Sequence, residues 1–137
     1  MFATRPIEKG EYLFDYTGEL MLDDAYDGLS DYAVSVNNAA GIEWIVDAAD
    51  PQAGGLCRYM NHAPSRGSYC NVACMRGAFD PALADEEAAP PPPLHVFSRR
   101  AIAEGAELMW DYGDEYWLGN SPGAVAFRDR LLRQPPK

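Results

Sequence analysis

Several features that would direct a protein to a membrane or to nucleic acid are missing. No apolar run approaches the ~20 residues that a membrane-spanning helix needs, and the N-terminus has no apolar signal-peptide segment. Basic residues are scarce, since 11 Lys and Arg face 21 Asp and Glu, for a formal net charge of −10. Nucleic-acid binding needs a basic surface, so direct contact with nucleic acid is not expected. We expect a soluble, non-secreted protein whose acidic surface either suits a basic partner or serves solubility.

Cysteine and glycine motifs are sparse as well. The cysteines, Cys57, Cys70 and Cys74, are odd in number and form no CxxC pair. A disulfide framework and a structural zinc site are therefore not expected, and we predict buried or idle thiols and no metal. No Gly-x-Gly-x-x-Gly follows any predicted strand, which counts against a dinucleotide-binding fold.

The chain does contain many short strand-like segments. Its 137 residues suffice for one domain with its own core. Aromatic and β-branched residues predict strands over 2–7, 12–17, 32–36, 42–47, 71–75 and 94–98. The turn at 37–41 predicts a hairpin, and Ser121-Pro122 predicts a helix that ends before Pro135. The sequence thus predicts a mainly-β domain.

Three other segments are expected to lack strands. Residues 23–31 read as a loop or one loose helical turn, and 51–55 as a turn. Residues 76–94, rich in Ala, acid and Pro, predict a solvated loop that ends in polyproline II at Pro90–Pro93. The proline run is interpreted as a stiff connector, with a docking role as the alternative.

Two polar motifs lie far apart in the chain. Arg58–His62 sets Asn61 and His62 among apolar residues, and if buried they need partners, because an unpaired buried polar group costs ~1–3 kcal/mol. The second motif, Glu107–Gly113, holds two aromatic residues. Taken separately, the first motif also fits a surface loop, and Tyr112 of the second fits a core tyrosine.

In their order and spacing these motifs resemble the SET-domain protein-lysine methyltransferases, and the resemblance covers residues 2–117. It rests on the two motifs and on matching segments at 2–11, 16–19, 32, 45–48, 71–72 and 96–102. It implies a mainly-β SET-domain (β-clip) fold of short strands, with a threaded, pseudoknot-like C-terminal segment and a short C-terminal helix. The SET domain would span 1–119, with 76–94 as a loop insertion, and 120–137 would form the C-terminal helix and tail.

The activity implied by this resemblance is methyl transfer from S-adenosylmethionine to a lysine side chain. The attacking nitrogen must lose its proton, yet free lysine titrates near ~10.4. A site that desolvates the amine beside a cation lowers that pKa, and holding the reacting atoms in line contributes most. The implied substrate is a basic protein, with a histone tail favoured, which would place the protein in the nucleus. The cytoplasm is the alternative, because no Lys/Arg-rich cluster is present.

The resemblance also assigns roles to individual side chains. Tyr112 and Tyr32 would be catalytic, and together with Trp110 they would line the substrate channel. The residues implied to bind the cofactor are Arg58, Asn61, His62, Tyr112 and Tyr116. Each has a structural alternative, such as a core tyrosine, a strand aromatic or a surface ion pair. Trp117 is expected only to pack.

Three departures from the family pattern matter. The Gly-x-Gly that precedes a Phe-Ala in relatives is missing before Phe2, so weaker cofactor binding is expected if Met1 is the true start. No cysteine cluster follows Trp117, so helix 121–133 or a partner would close the lysine channel. Trp110 stands where relatives carry Phe or Tyr. Its lack of a hydroxyl favours higher methylation, whereas its bulk would crowd the channel.

The sequence leaves a second function open. The missing glycines and the short C-terminus also fit a catalytically inactive SET-like module that binds peptide or protein. Cofactor binding separates the two functions. Oligomeric state, methylation state and the target lysine are not indicated by the sequence.

Overall fold

Short strands dominate the architecture. The computed structural model describes residues 1–113, 116 and 119–133. The strands are β1 Tyr12–Tyr16, β2 Glu19–Leu22, β3 Ala33–Asn37, β4 Glu43–Asp47, β5 Asn61–His62, β6 Val72–Arg76, β7 Leu94–Ser98 and β8 Met109–Trp110. The helices are α1 Pro51–Gly54 and α2 Pro122–Arg133, and 3-10 turns lie at Asp23–Ala25, Cys57–Tyr59 and Pro81–Leu83.

The strands form three small sheets around one core. Two are antiparallel, in the orders β1-β7-β6 and β2-β4-β3. The third pairs β5 with β8 in parallel. The core side chains include Tyr16, Val36, Val46, Met60, Val72, Val96, Ile102 and Leu108. The predicted mainly-β fold with a C-terminal helix is confirmed.

Local sequence signals located most of the elements. The β3–β4 hairpin, β1, β6 and β7 lie within a residue or so of their predicted positions. At the start of α2, the Ser121 hydroxyl accepts a hydrogen bond from the Ala124 N–H at 3.3 Å, so the serine caps the helix. The predicted helix end before Pro135 lies outside the described residues.

One strand prediction was wrong, and strand β2 was not predicted. Residues 2–7 form only isolated bridges, from Phe2 to Glu107 and from Ile7 to Ile102. Strand β2 begins directly after Gly18. A Cβ at position 18 would collide with the Asp47 carbonyl oxygen. Gly18 therefore lets the chain pass close to β4 and continue as β2.

The two shorter segments also differ in their outcome. Residues 51–55 were predicted to be a turn, but 51–54 form a single helical turn, capped by the Asp50 carboxylate through the Gln52 N–H at 2.9 Å. The 3-10 turn at Asp23–Ala25 is the one loose helical turn expected in 23–31.

The acidic, proline-rich insertion is mostly exposed but tied down at one point. Asn38, in the β3–β4 turn, has no exposed surface. Its amide donates to the carbonyl oxygens of Glu87 at 3.0 Å and Ala89 at 2.9 Å, while its oxygen accepts from the Ile42 N–H at 2.8 Å. One buried amide therefore holds both the hairpin turn and the insertion.

Replacing Asn38 by alanine is expected to lower the free energy of unfolding by about 1–2 kcal/mol. The loss stays moderate because the carbonyls of Glu87 and Ala89 belong to an exposed loop and can turn to water. Urea unfolding measures the change, with the exposed neighbour Asn37→Ala as the matched control. Equal stability of the two variants would contradict the clamp.

Apolar burial also fixes the state of the thiols. Cys57 and Cys70 are buried, Cys74 is half-buried, and all three are free. Burial raises the pKa of Cys57, and raises that of Cys74 to about 12. Within the described residues, no group of His, Cys, Asp and Glu is arranged to hold a metal. Over the same residues, every helix is too short or too polar to cross a bilayer.

Candidate functional site

The two polar motifs of the sequence meet at the β5–β8 pair. Asn61 lies opposite Met109, and His62 opposite Trp110. The Ala63 N–H extends the pairing by donating to the Trp110 carbonyl at 2.9 Å. Residues from the two motifs therefore lie side by side.

Asn71 holds the second motif from its other side. Its backbone N–H donates to the Met109 carbonyl at 3.0 Å. Its side-chain oxygen accepts from the Met109 N–H at 2.9 Å, and its amide donates to the Glu107 carbonyl at 2.8 Å. Residues 107–110 thus run between β5 and Asn71. Sequence reasoning matched Asn71 to the family but missed this clamp.

Tyr112 is held at both its backbone and its hydroxyl. Its N–H donates to His62 Nδ1 at 3.0 Å, and its hydroxyl donates to the Met60 carbonyl at 2.8 Å. Because Nδ1 accepts a hydrogen bond, the His62 ring carries its proton on Nε2. Burial, followed by the nearby Tyr32, raises the pKa of Tyr112 and keeps its hydroxyl protonated. The hydroxyl position is therefore fixed by the chain that precedes Asn61.

Asn61 has a defined amide orientation. Its Nδ2 donates to Glu107 Oε1 at 2.6 Å, and Asn61 itself is exposed. A carboxylate accepts only, so the amide nitrogen must face Glu107 and the amide oxygen must face away. Asn61 thus offers an acceptor, beside a carboxylate, at the surface of the motif.

An acidic, aromatic cleft of about 370 Å³ lies next to Tyr112. One wall is formed by residues 33–35 at the free edge of β3. The lining side chains include Tyr16, Tyr26, Trp110, Tyr112 and Tyr116, with the carboxyl groups of Asp23, Asp31 and Glu43. The cleft therefore combines apolar walls with negative charge, which suits an extended chain that carries a cation.

Trp110 and Tyr116 flank Tyr112 in this cleft. The Trp110 ring lies 5.8 Å from that of Tyr112 and 5.5 Å from that of Tyr16. The Tyr116 ring meets Tyr112 edge-on at 4.9 Å. The Tyr116 hydroxyl donates to Asp31 Oδ1 at 2.8 Å. Burial, and then this bond, raises the pKa of Tyr116 to about 12. The three rings form one continuous aromatic wall.

Arg58 and Tyr32 form a separate pair. The Arg58 guanidinium lies 4.8 Å from the centre of the Tyr32 ring and donates to the carbonyls of Ala48 and Ala49 at 3.2 and 2.8 Å. The Tyr32 carbonyl accepts from the buried Tyr16 hydroxyl at 2.7 Å. This cation–π pair supports the chain just before β3.

The sequence-predicted residues fall into two groups, those that line the cleft and those that lie outside it. Trp110, Tyr112 and Tyr116 line the cleft, whereas Tyr32, Arg58, Asn61 and His62 do not. Asp31, which bonds Tyr116, gave no signal in the sequence because its partners are distant. Trp117, expected to pack, lies outside the described residues.

Comparison with known proteins gives one consistent result. A sequence model of the SET domain matches residues 1–113. The chain is 28% identical over 123 residues to N-lysine methyltransferase KMT5A-A of Danio rerio, covering 83% of this chain and 32% of that protein. It therefore spans about a third of that relative's length.

Two solved structures are similar to this chain. The methyltransferase domain of human PR domain-containing protein 2 has a TM-score of 0.60 at 24% identity, over 82% of this chain and 67% of that one. The SET domain of the RIZ1 tumor suppressor (PRDM2) has a TM-score of 0.57 at 21% identity, over 97% and 72%. At these identities the likeness concerns the fold.

Proposed function

This chain belongs to the SET-domain family, and from that membership we propose that it transfers a methyl group from S-adenosylmethionine to a lysine side chain of a protein. The observation that carries the proposal is the double anchoring of Tyr112. Its backbone is bonded to His62 and its hydroxyl to the residue before Asn61, at the wall of an acidic cleft. These bonds connect the proposed reactive tyrosine directly to the motif proposed to bind the cofactor.

The residues around Asn61 fit the methionine end of S-adenosylmethionine. That end carries an ammonium group, and the Asn61 oxygen and the Glu107 carboxylate are both acceptors for it. When bound, the cofactor supplies a sulfonium-activated methyl group. In this proposal Asn61, His62 and Arg58 hold it together with Tyr112 and Tyr116.

Replacing Glu107 by glutamine tests the acceptor role. The glutamine can donate as well as accept, so Asn61 loses its fixed orientation and the site loses a charge facing the ammonium. We expect the Kd for S-adenosylmethionine to rise by about tenfold, the loss of one charge-assisted hydrogen bond. Calorimetry measures the Kd, with the exposed Glu104→Gln as control. An unchanged Kd would remove Glu107 from the cofactor site.

In this proposal the aromatic wall of the cleft binds the lysine side chain. Burial beside Tyr112 and Trp110 disfavours the charged ammonium, and so favours the neutral amine that the reaction needs. The bond to the Met60 carbonyl holds the Tyr112 hydroxyl in place. In this proposal the hydroxyl marks one side of the space in which the lysine nitrogen meets the methyl group. Tyr32 is proposed to assist Tyr112 from outside the cleft, where its ring packs against Arg58.

The proposed substrate is a basic protein segment, with a histone tail favoured. Two observations support this class: the net charge of −10 and the presence of Asp23 and Glu43 in the cleft lining. Opposite charge speeds encounter and orients the substrate. A histone target places the reaction in the nucleus.

The proposal also assigns domain boundaries along the chain. Residues 1–119 would form the SET domain, with 76–94 as an insertion, and 120–137 would add the helix and tail. Ser121 of the helix start lines the cleft, so α2 is the element proposed to close the lysine channel.

Methyl transfer can be tested directly. Labelled S-adenosylmethionine is incubated with core histones and with a mixed protein extract, and label on lysine is measured. Label on lysine supports the proposal. Absence of both label and cofactor binding would instead favour the alternative, a SET-like module that binds peptide without turnover.

A further inference from the structure

One carboxylate oxygen of Asp31 is shared by two distant parts of the chain. Tyr116 OH and the Gly123 N–H both donate to Asp31 Oδ1, each at 2.8 Å. These donors follow Asp31 by 85 and 92 residues. The two bonds therefore tie the segment before β3 to the first turn of α2.

Asp31 itself sits on a fixed segment. The Ser30 hydroxyl donates to Asp47 Oδ1 at 2.6 Å and accepts from the Tyr32 N–H at 3.0 Å. The Tyr32 carbonyl accepts from the Ala48 N–H at 3.0 Å. The residues on both sides of Asp31 are hydrogen-bonded to the end of β4 or to each other. The backbone that carries the Asp31 carboxylate is therefore held in place.

The fit of α2 against this carboxylate leaves no room for a side chain. A Cβ at position 123 would lie 2.6 Å from Asp31 Oδ1 and would collide with the Tyr116 hydroxyl. With the Asp31 and Tyr116 side chains in these positions, glycine is the residue that lets the helix approach so closely. The helix position is thus set by the Asp31 contact.

The contact leads on to the reactive tyrosine. The Tyr116 ring packs edge-on against Tyr112 at 4.9 Å, and Asp31, Tyr112, Tyr116 and Ser121 all line the same cleft. A shift of Tyr116 or of α2 would therefore change the shape of the cleft beside Tyr112.

We propose that Asp31 is a positioning residue for methyl transfer, which holds Tyr116 and the start of α2 in place as the substrate-side wall of the cleft. The inference rests on the proposed function and adds to it the residue that fixes this wall. Asparagine at position 31 can accept both hydrogen bonds, whereas alanine can accept neither.

Kinetics of Asp31→Ala and Asp31→Asn separate position from charge. With a core-histone tail peptide, we expect Asp31→Ala to raise the KM for the peptide by about tenfold or more. Asp31→Asn should stay within about threefold of the unaltered KM and within about twofold of the unaltered Kd for S-adenosylmethionine. An unchanged peptide KM in Asp31→Ala overturns the proposal. An Asp31→Asn variant as impaired as Asp31→Ala also overturns it, because the carboxylate charge would then act directly.

A second measurement needs no turnover and keeps the two proposals distinguishable. Amide hydrogen exchange at Gly123 and Ala124 should quicken in Asp31→Ala but not in Asp31→Asn. If the unaltered chain transfers no methyl group, the proposed function fails while exchange still decides whether Asp31 holds the helix. Unchanged exchange in Asp31→Ala overturns the inference. Should Asp31→Ala fail to fold, Gly123→Ala breaks the same contact from the helix side, because its Cβ would collide with Asp31 Oδ1 and the Tyr116 hydroxyl, and it must quicken exchange at residues 123 and 124.

Discussion

Substituting Tyr112 by phenylalanine should reduce the rate of methyl transfer by about 10²-fold. The variant keeps the backbone bond to His62 and the ring contacts with Trp110 and Tyr116, so the cleft stays formed. It removes only the hydroxyl that is anchored on the Met60 carbonyl. Single-turnover transfer of label to core histones measures the rate.

The control for Tyr112 is Tyr69→Phe, because Tyr69 is 77% exposed. That variant should transfer methyl at the unaltered rate and bind S-adenosylmethionine with unchanged Kd. A loss of less than about tenfold in Tyr112→Phe would show that the hydroxyl does not stabilise the transition state.

Substituting Asn71 by alanine should cost about 2–4 kcal/mol of unfolding free energy and abolish transfer. The Met109 N–H and the Glu107 carbonyl both lose their side-chain partner at a residue only 9% exposed. The segment they belong to carries Tyr112, so stability and activity should fall together. Urea unfolding followed by Trp fluorescence measures the first, and label transfer the second.

Asn71→Asp provides the matched comparison. It keeps the acceptor for Met109 but sets a carboxylate oxygen against the Glu107 carbonyl oxygen at a position only 9% exposed, so it should lose at least as much stability as alanine does. If Asn71→Ala is destabilised by less than about 1 kcal/mol, water replaces the side-chain clamp and the backbone bonds hold the segment without it.

Sequence reasoning succeeded where the signal was local. Alternating and aromatic residues marked β1, the β3–β4 hairpin and β7, and Ser121-Pro122 marked the start of α2, because each pattern acts within a few residues. It failed for residues 2–7, whose bridges depend on residues 102 and 107. It also missed β2, whose strand form depends on the close passage of Gly18 by Asp47.

In the candidate site, too, some residues could be predicted from the sequence and others could not. From the order of the two motifs, the family resemblance assigned Asn61, His62 and Tyr112 to one site. The roles of Asn71 and Asp31 could not be read, because their bonds span 36 to 92 residues and involve backbone groups that carry no residue identity. Long-range polar contacts of this kind become visible only when the fold is known.

The passage of residues 107–110 between β5 and Asn71 bears on how the protein is made. The first residues pair with the same late segment, since Ala3 N–H donates to Ala106 and Leu108 N–H to Met1, each at 2.8 Å. During synthesis, residues 1–106 therefore leave the ribosome before the segment 107–110, with which the N-terminal residues pair, has been made. Contacts this distant in sequence slow folding, so the site should form only after synthesis has passed Tyr112. A nascent chain that stalls before that point would have an exposed, unclosed core, and would be a natural client for chaperones.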